Sequence, residues 1–228
     1  MTFAIIGAMD EEIIRLKANM DIQLTKTIAG FEFYKGRLNG RDTVLVKCGI
    51  GKVNAALCTQ ALIDAFAPGC IINTGVAGSM AEGVGIGDVV VSLDLVQHDF
   101  DTSTFGDDLI GTIPRLGKRF FEADKALIQA ASACKGIKIH KGRIATGDQF
   151  IADKGKKDRI RELFSPLCVE MEGAAIAQAC YLNNMPFVVI RSISDGSDDD
   201  ADVSFEKFVH IAAENSSLIV EELLKNYE

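Results

Sequence analysis

Phe187-Val188-Val189-Ile190-Arg191-Ser192-Ile193 is an apolar run that ends in Ser194-Asp195-Gly196. A continuous apolar run of this length is the pattern of a strand buried on both faces, as in parallel sheets. Its counterpart is Cys168-Val169-Glu170-Met171, followed by Glu172-Gly173 and an Ala-rich stretch. Both runs put a carboxylate where a strand gives way to a loop or helix. In open α/β sheets the ligand crevice lies at the carboxyl ends of the strands. Asp195 and Glu172 therefore stand where chemistry is expected. A third carboxylate, Glu12, holds an equivalent place after the short apolar run 3–7. Three carboxylates at one crevice point to acid/base chemistry on a neutral or electron-poor ligand.

The rest of the chain supports this frame. Residues 9–19 read as a helix, with acidic residues in the first turn and Arg15 and Lys17 later, the order that suits the helix dipole. Segments 31–38 and 43–47 flank Asn39-Gly40, a strong hairpin signal. Residues 52–66 read as a helix, 70–73 as a buried strand, 74–78 as a glycine-bearing turn, 83–87 as a loop and 88–93 as a strand. Segment 97–119 reads as irregular, and a loop of that length is usually functional or an interface. Helices follow at 124–135, 154–164, 173–182 and 204–226, with strands at 137–145, 168–171 and 187–193. The alternation predicts an α/β fold: three layers, a mixed and mostly parallel twisted sheet flanked by helices, with about nine strands and six helices. No linker interrupts residues 1–228, which predicts a single domain.

Composition narrows the partners. The net charge is −8, from 24 basic and 32 acidic side chains. That argues against nucleic acid, which needs a basic footprint, and leaves a nucleoside possible. The six cysteines include no CxxC pair and lie mostly in apolar or Ala-rich runs, which suits a reducing compartment. Three scattered histidines make a His/Cys metal site improbable. The N-terminus lacks a basic signal-peptide region, and no apolar stretch approaches the ~18 residues of a membrane span. The expected location is the cytoplasm.

Each candidate also has an ordinary reading. A lone Asp before Gly is commonly a cap or turn residue. Ser194 beside Asp195 and the neighbouring Glu172 favour a partly buried acid that keeps its proton at neutral pH. Glu172 suits the first turn of a helix, but a carboxylate there also accepts from a vicinal diol. Strand alternation sends Glu170 to the opposite face. Spacing alone does not choose Glu12 over Asp10 and Glu11. Gly49-Ile50-Gly51-Lys52 lacks P-loop spacing, and no GxGxxG is present, so a dinucleotide site is rejected.

Six blocks taken in order carry a resemblance: IIGAMDEE at 5–12, GIGKVNAA at 49–56, IINTGVAG at 71–78, ATGDQFI at 145–151, VEMEGAAIA at 169–177 and PFVVIRSISD at 186–195. Together they resemble the 5′-methylthioadenosine/S-adenosylhomocysteine nucleosidases of the nucleoside phosphorylase superfamily. The resemblance implies that Asp195 protonates the purine N7, positioned by Ser194, and that Glu12 is the base for the attacking water. It implies that Glu172 binds the ribose hydroxyls above Met171, that Phe150 stacks on the base, and that the Ile151 backbone reads its edge. Gly78, Met9, Ile50 and Phe205 would line the ligand pocket, with Arg191 bracing the acidic cluster. Phe105 and Pro114 would close the 5′ end of the pocket in a partner subunit, implying a homodimer. No metal and no cofactor is implied. Many such nucleosidases carry Ser where this chain has Val76, which removes a hydroxyl near the ligand and keeps 5′-deoxyadenosine and 6-amino-6-deoxyfutalosine in view as substrates. Two rivals share the fold. A phosphorylase would need an anion site where this chain offers Met9-Asp10-Glu11-Glu12. A non-catalytic nucleoside-binding protein would have no use for all three carboxylates.

Overall fold

The computed structural model describes residues 1–106, 109–196 and 201–227. Ten strands form one mixed sheet among the described residues: β1 (Phe3–Gly7), β2 (Asp21–Ile28), β3 (Phe31–Leu38), β4 (Arg41–Lys47), β5 (Cys70–Ser79), β6 (Val89–Gln97), β7 (Phe121–Glu122), β8 (Ile139–Thr146), β9 (Cys168–Glu170) and β10 (Phe187–Asp195). Six α-helices cover it: α1 (Asp10–Ala18), α2 (Lys52–Phe66), α3 (Lys125–Ala131), α4 (Lys154–Phe164), α5 (Gly173–Leu182) and α6 (Ala201–Asn226). Helices α1 and α3 pack on α6, which lies on β5 and β10; α2 packs on α5, which lies on β6 and β8. This is the expected layered α/β arrangement.

The centre of the sheet is parallel. β4, β1, β5 and β10 run side by side in the same direction, and every residue of β1 and β10 is buried. Burial on both faces is why these strands read as continuous apolar runs. β10 also pairs with β6, so β5, β10, β6, β8 and β9 close upon themselves. β2 and β3 form an antiparallel extension at the edge.

Several expectations need correction. Residues 74–78 are not a turn: β5 runs on to Ser79, paired with β10 as far as Gly78. The pairing overrides the local turn chemistry of Thr74-Gly75. β2 went unrecognised: Ile22, Leu24 and Ile28 alternate with polar residues, but all residues except the last are exposed, so no buried face marks the strand. The two-residue β7 is too short to leave a pattern. β6 reaches Gln97 rather than stopping at Leu93, and α3 ends at Ala131. The segment 97–119 is largely irregular, with a short 3-10 turn at Ser103–Phe105 and a bridge between Ile113 and Lys118; residues 107–108 within it lie outside the described residues.

β5 positions the site. Along one edge it pairs with β10 over nearly its whole length. Along the other, β1 pairs only with residues 70–73, and β9 joins only at Gly78 and Ser79. Between them the edge of β5 is open, and the backbone amides of Gly75 and Val76 must find partners other than a strand.

Candidate active site

Glu12 supplies one of those partners. It sits in the first turn of α1, and its Oε1 accepts from the Val76 amide at 3.0 Å across the open edge of β5. Its Oε2 turns back to accept from the amides of Ala8 at 2.6 Å and Met9 at 3.0 Å. The Gly75 amide donates to Ser216 Oγ of α6 at 3.0 Å. Burial raises the proton affinity of Glu12, opposed by the Arg191 charge and the three amides. These contacts select Glu12 over Asp10 and Glu11, which spacing could not do.

Arg191 organises the remaining charge. It is wholly buried within β10. Its Nη2 donates to Asn73 Oδ1 at 2.7 Å, to Glu170 Oε2, and to Glu172 Oε2 at 3.4 Å, while Nη1 lies 3.8 Å from Glu12 Oε1. Burial would lower the affinity of the guanidinium for its proton, but the three carboxylates reverse that and hold it charged. One cation among three buried carboxylates leaves negative charge in excess, so the carboxyl groups respond. Glu172 is pushed up to about 7, first by burial, with Arg191 opposing and Glu170 adding to the rise.

Glu170 is the residue sequence reasoning set aside. The expected opposite placement fails because residues two apart in a strand share a face, and β9 ends at Glu170 with Glu172 at the helix start. The two carboxylates therefore converge on Arg191. Glu170 caps α5, accepting from the amides of Glu172 at 3.0 Å and Gly173 at 2.7 Å, and also takes the Thr146 hydroxyl. With that duty filled, Glu172 is free of the capping role; its Oε1 accepts from Gly51 N at 2.9 Å. Gly51 has φ +98°, a conformation that a side chain would strain, and so presents its amide to the site.

Asp195 stands at the other side of the cavity. A register shift in the β10–β5 pairing falls at Ser194. Regular alternation would send Ser194 and Asp195 to opposite faces; the bulge lets both line one cavity. Ser194 Oγ donates to Asp195 Oδ1 at 2.8 Å. Asp195 is only 3% exposed. Burial raises its proton affinity, opposed by the Ser194 hydrogen bond and the charge of Lys157. Gly78 permits this placement, since a Cβ there would stand 2.7 Å from Asp195 Oδ2.

The cavity has a volume of about 370 Å³, within the size range of small-molecule sites. Met9, Glu12, Ile50, Gly78, Phe150, Met171, Glu172, Ser194, Asp195 and Phe205 all line it, as does Val76. Phe150 and Phe205 meet edge to face, with ring centroids 5.8 Å apart. Val76 packs with Val209, Ala212 and Ala213 of α6. Four expected residues are elsewhere. Arg191 lies behind the wall; the Ile151 side chain packs in a separate cluster with Phe164 and Val96; Phe105 is 92% exposed and, like Pro114, does not line the cavity of this chain. Among the described residues, no group of His, Cys, Asp and Glu side chains is arranged to hold a metal ion.

A buried carboxyl with raised proton affinity and a second one held by backbone amides, on one apolar cavity, can give and take protons on a single ligand. Comparisons with known proteins agree with this chemistry. The phosphorylase superfamily model matches residues 2–225. The chain is 46% identical to a 5′-methylthioadenosine/S-adenosylhomocysteine nucleosidase from Anoxybacillus flavithermus over 226 residues, 97% of each chain. It is similar to the Neisseria meningitidis nucleosidase of that name, solved with methylthio-immucillin-A, at TM-score 0.94 and 41% identity over 98% of each chain. A Helicobacter pylori futalosine hydrolase matches at TM-score 0.93 and 34% identity, over 98% of this chain and 97% of that one. The expected resemblance is thus borne out, and the chain belongs to the phosphorylase superfamily and, within it, to the 5′-methylthioadenosine/S-adenosylhomocysteine nucleosidases.

Proposed function

We propose that this protein hydrolyses the N-glycosidic bond of 5′-methylthioadenosine and S-adenosylhomocysteine, releasing adenine and the 5-thioribose. The observation that carries this reading is the pair of buried carboxyl groups, Asp195 and Glu12, lining one largely apolar cavity. Asp195 gives its proton to N7 of the purine. The bond from C1′ to N9 breaks with its electron pair going to the base, and C1′ gains oxocarbenium character. Glu12 takes a proton from water as the water oxygen bonds to C1′. Burial raises the proton affinity of both groups, which suits Asp195 to carry the proton and makes ionised Glu12 the stronger base. Glu172 accepts from the ribose hydroxyls above Met171, Phe150 stacks on the base, and the Ile151 backbone reads its edge. Met9, Ile50, Phe205 and Gly78 shape the rest of the pocket, and Arg191 braces the acidic cluster.

Water rather than phosphate as the nucleophile is supported by the same contacts. An anion site needs free backbone amides or cations. Here Glu12 occupies the amides of Ala8, Met9 and Val76 with its own negative oxygens. Val76 puts methyls on the cavity wall where many of these nucleosidases carry a serine hydroxyl, so 5′-deoxyadenosine and 6-amino-6-deoxyfutalosine belong in the same assay.

We also propose a single domain, acting as a homodimer in the cytoplasm, in methionine salvage. The six free cysteines suit a reducing compartment. The exposed Phe105 ring suits a contact in which a partner subunit closes the pocket. The test is purified protein with 5′-methylthioadenosine, with and without phosphate, the products separated by chromatography. Adenine and methylthioribose in both buffers are expected. Adenine only with phosphate, beside a sugar 1-phosphate, would make it a phosphorylase; saturable binding without adenine would make it a binding protein.

A further inference from the structure

Five cations fall on α4, whose sequence is Lys-Gly-Lys-Lys-Asp-Arg-Ile-Arg-Glu-Leu-Phe, yet of these only Lys157 is buried. Lys157 is 2% exposed. It shares its helix face with Ile160 and Phe164, three and seven residues on, which pack in the cluster that holds Ile151. A leucine would suit such a position by packing alone. Burying an ammonium instead is costly unless charge or hydrogen bonding compensates.

One such contact lies beside the acid. Lys157 Nζ is 3.4 Å from the carbonyl oxygen of Gly196, the residue after Asp195. α4 itself begins three residues after Ile151. One side chain thus joins the segment carrying Phe150 and Ile151 to the corner carrying Ser194 and Asp195. We propose that Lys157 is a positioning residue for Asp195: from the buried face of α4 its ammonium holds the 194–196 corner against the purine-side segment and places a positive charge behind the acid. This rests on the reading of Asp195 as the proton donor. The charge stabilises the carboxylate formed when the proton leaves, while burial favours the protonated carboxyl beforehand.

Among the described residues, the other groups around Asp195 do not duplicate that charge. From β9 comes the Cys168 thiol, whose own titration burial pushes up. From β5 come Ala77 and Gly78, which carry no charge. On β10 itself, Arg191 is engaged by Glu170, Glu172 and Glu12. The field of Lys157 on Asp195 is therefore separable by substitution.

The test compares kcat against pH for the wild type, Lys157→Met, Lys157→Gln and Lys157→Arg, with adenine release from 5′-methylthioadenosine as the assay. Without the charge, Asp195 keeps its proton to higher pH, so the alkaline limb should move up by about half to one pH unit. A weaker acid also lowers the plateau, by about tenfold. Lys157→Gln should shift the limb as Lys157→Met does, keeping a donor for Gly196 and so separating charge from packing. Lys157→Arg should bring the limb back. Carbon-13 NMR of the Asp195 carboxyl in the same proteins reads the shift without turnover. A wild type that releases no adenine would overturn the proposed activity, and the NMR titration would then decide the role of Lys157 alone. Unshifted titration of Asp195 in both charge-removing variants, with only a lower melting temperature, would overturn the role of Lys157.

Discussion

At the residue scale the site is a set of close approaches that leave little room for substitution. Glu12→Gln keeps the size, and its amide oxygen can still accept from Ala8 and Met9, but its NH2 faces the Val76 amide and it is no base. We expect kcat to fall by about 10²–10⁴-fold while a tight-binding adenosine analogue still binds, measured by calorimetry; lost binding would instead make Glu12 a structural residue. Gly78→Ala tests placement rather than chemistry. Its Cβ would meet Asp195 Oδ2 at 2.7 Å, and moving the acid by about 1 Å costs on the order of 100-fold in kcat. Gly85→Ala is the control, because nothing lies within 4 Å of its Cβ; equal activity in both alanine variants would sink the argument. Glu172 and Asp195 were legible in the sequence because strand ends mark the crevice. Glu170 was as legible, because residues two apart in a strand share a face; sending it to the far side misapplies that period.

At the element scale the sequence was most readable where helices begin on side-chain caps or end on abrupt turns. Helices α2, α4 and α5 occupy the expected residues, and α4 starts on Asp153, whose carboxylate accepts from Lys156 N at 2.8 Å. Asp153→Ala removes that cap and should cost about 1 kcal/mol, measured by urea unfolding. Lys157 sits one turn along the same helix, so fraying of α4 should also depress kcat; full activity with the stability loss would mean that the first turn does not reach the acid. Strands were less readable. β2 exposes nearly all its residues, so no buried face marks it, and β5 crosses Thr74-Gly75 only because β10 supplies pairing across the sheet. The bulge at Ser194 likewise has no local sequence signal.

At the scale of the molecule the buried carboxyl groups couple the site to stability. For Glu172, a group raised from 4.5 to about 7, the native state holds a proton that the unfolded chain releases between those values. The unfolded state then binds fewer protons, so stability falls as pH rises through that window and levels off above it. Glu12 and Asp195, also raised, act in the same direction, as does self-repulsion from a net charge of −8. The melting temperature of the ligand-free protein should therefore drop between about pH 4.5 and pH 7. Glu172→Gln should flatten that slope in differential scanning calorimetry, and an unchanged slope would show that Glu172 does not titrate there.

The open edge of β5 has an experimental use. The Val76 amide donates to Glu12 Oε1 where neither β1 nor β9 reaches β5, so its proton is a spectator wired to the base. Its nitrogen-15 and proton resonance frequencies should follow the ionisation of Glu12, and should move again when a ligand shares that carboxylate. The backbone thus carries a built-in spectroscopic probe of the chemistry, one that needs no label on the substrate and no change to any side chain.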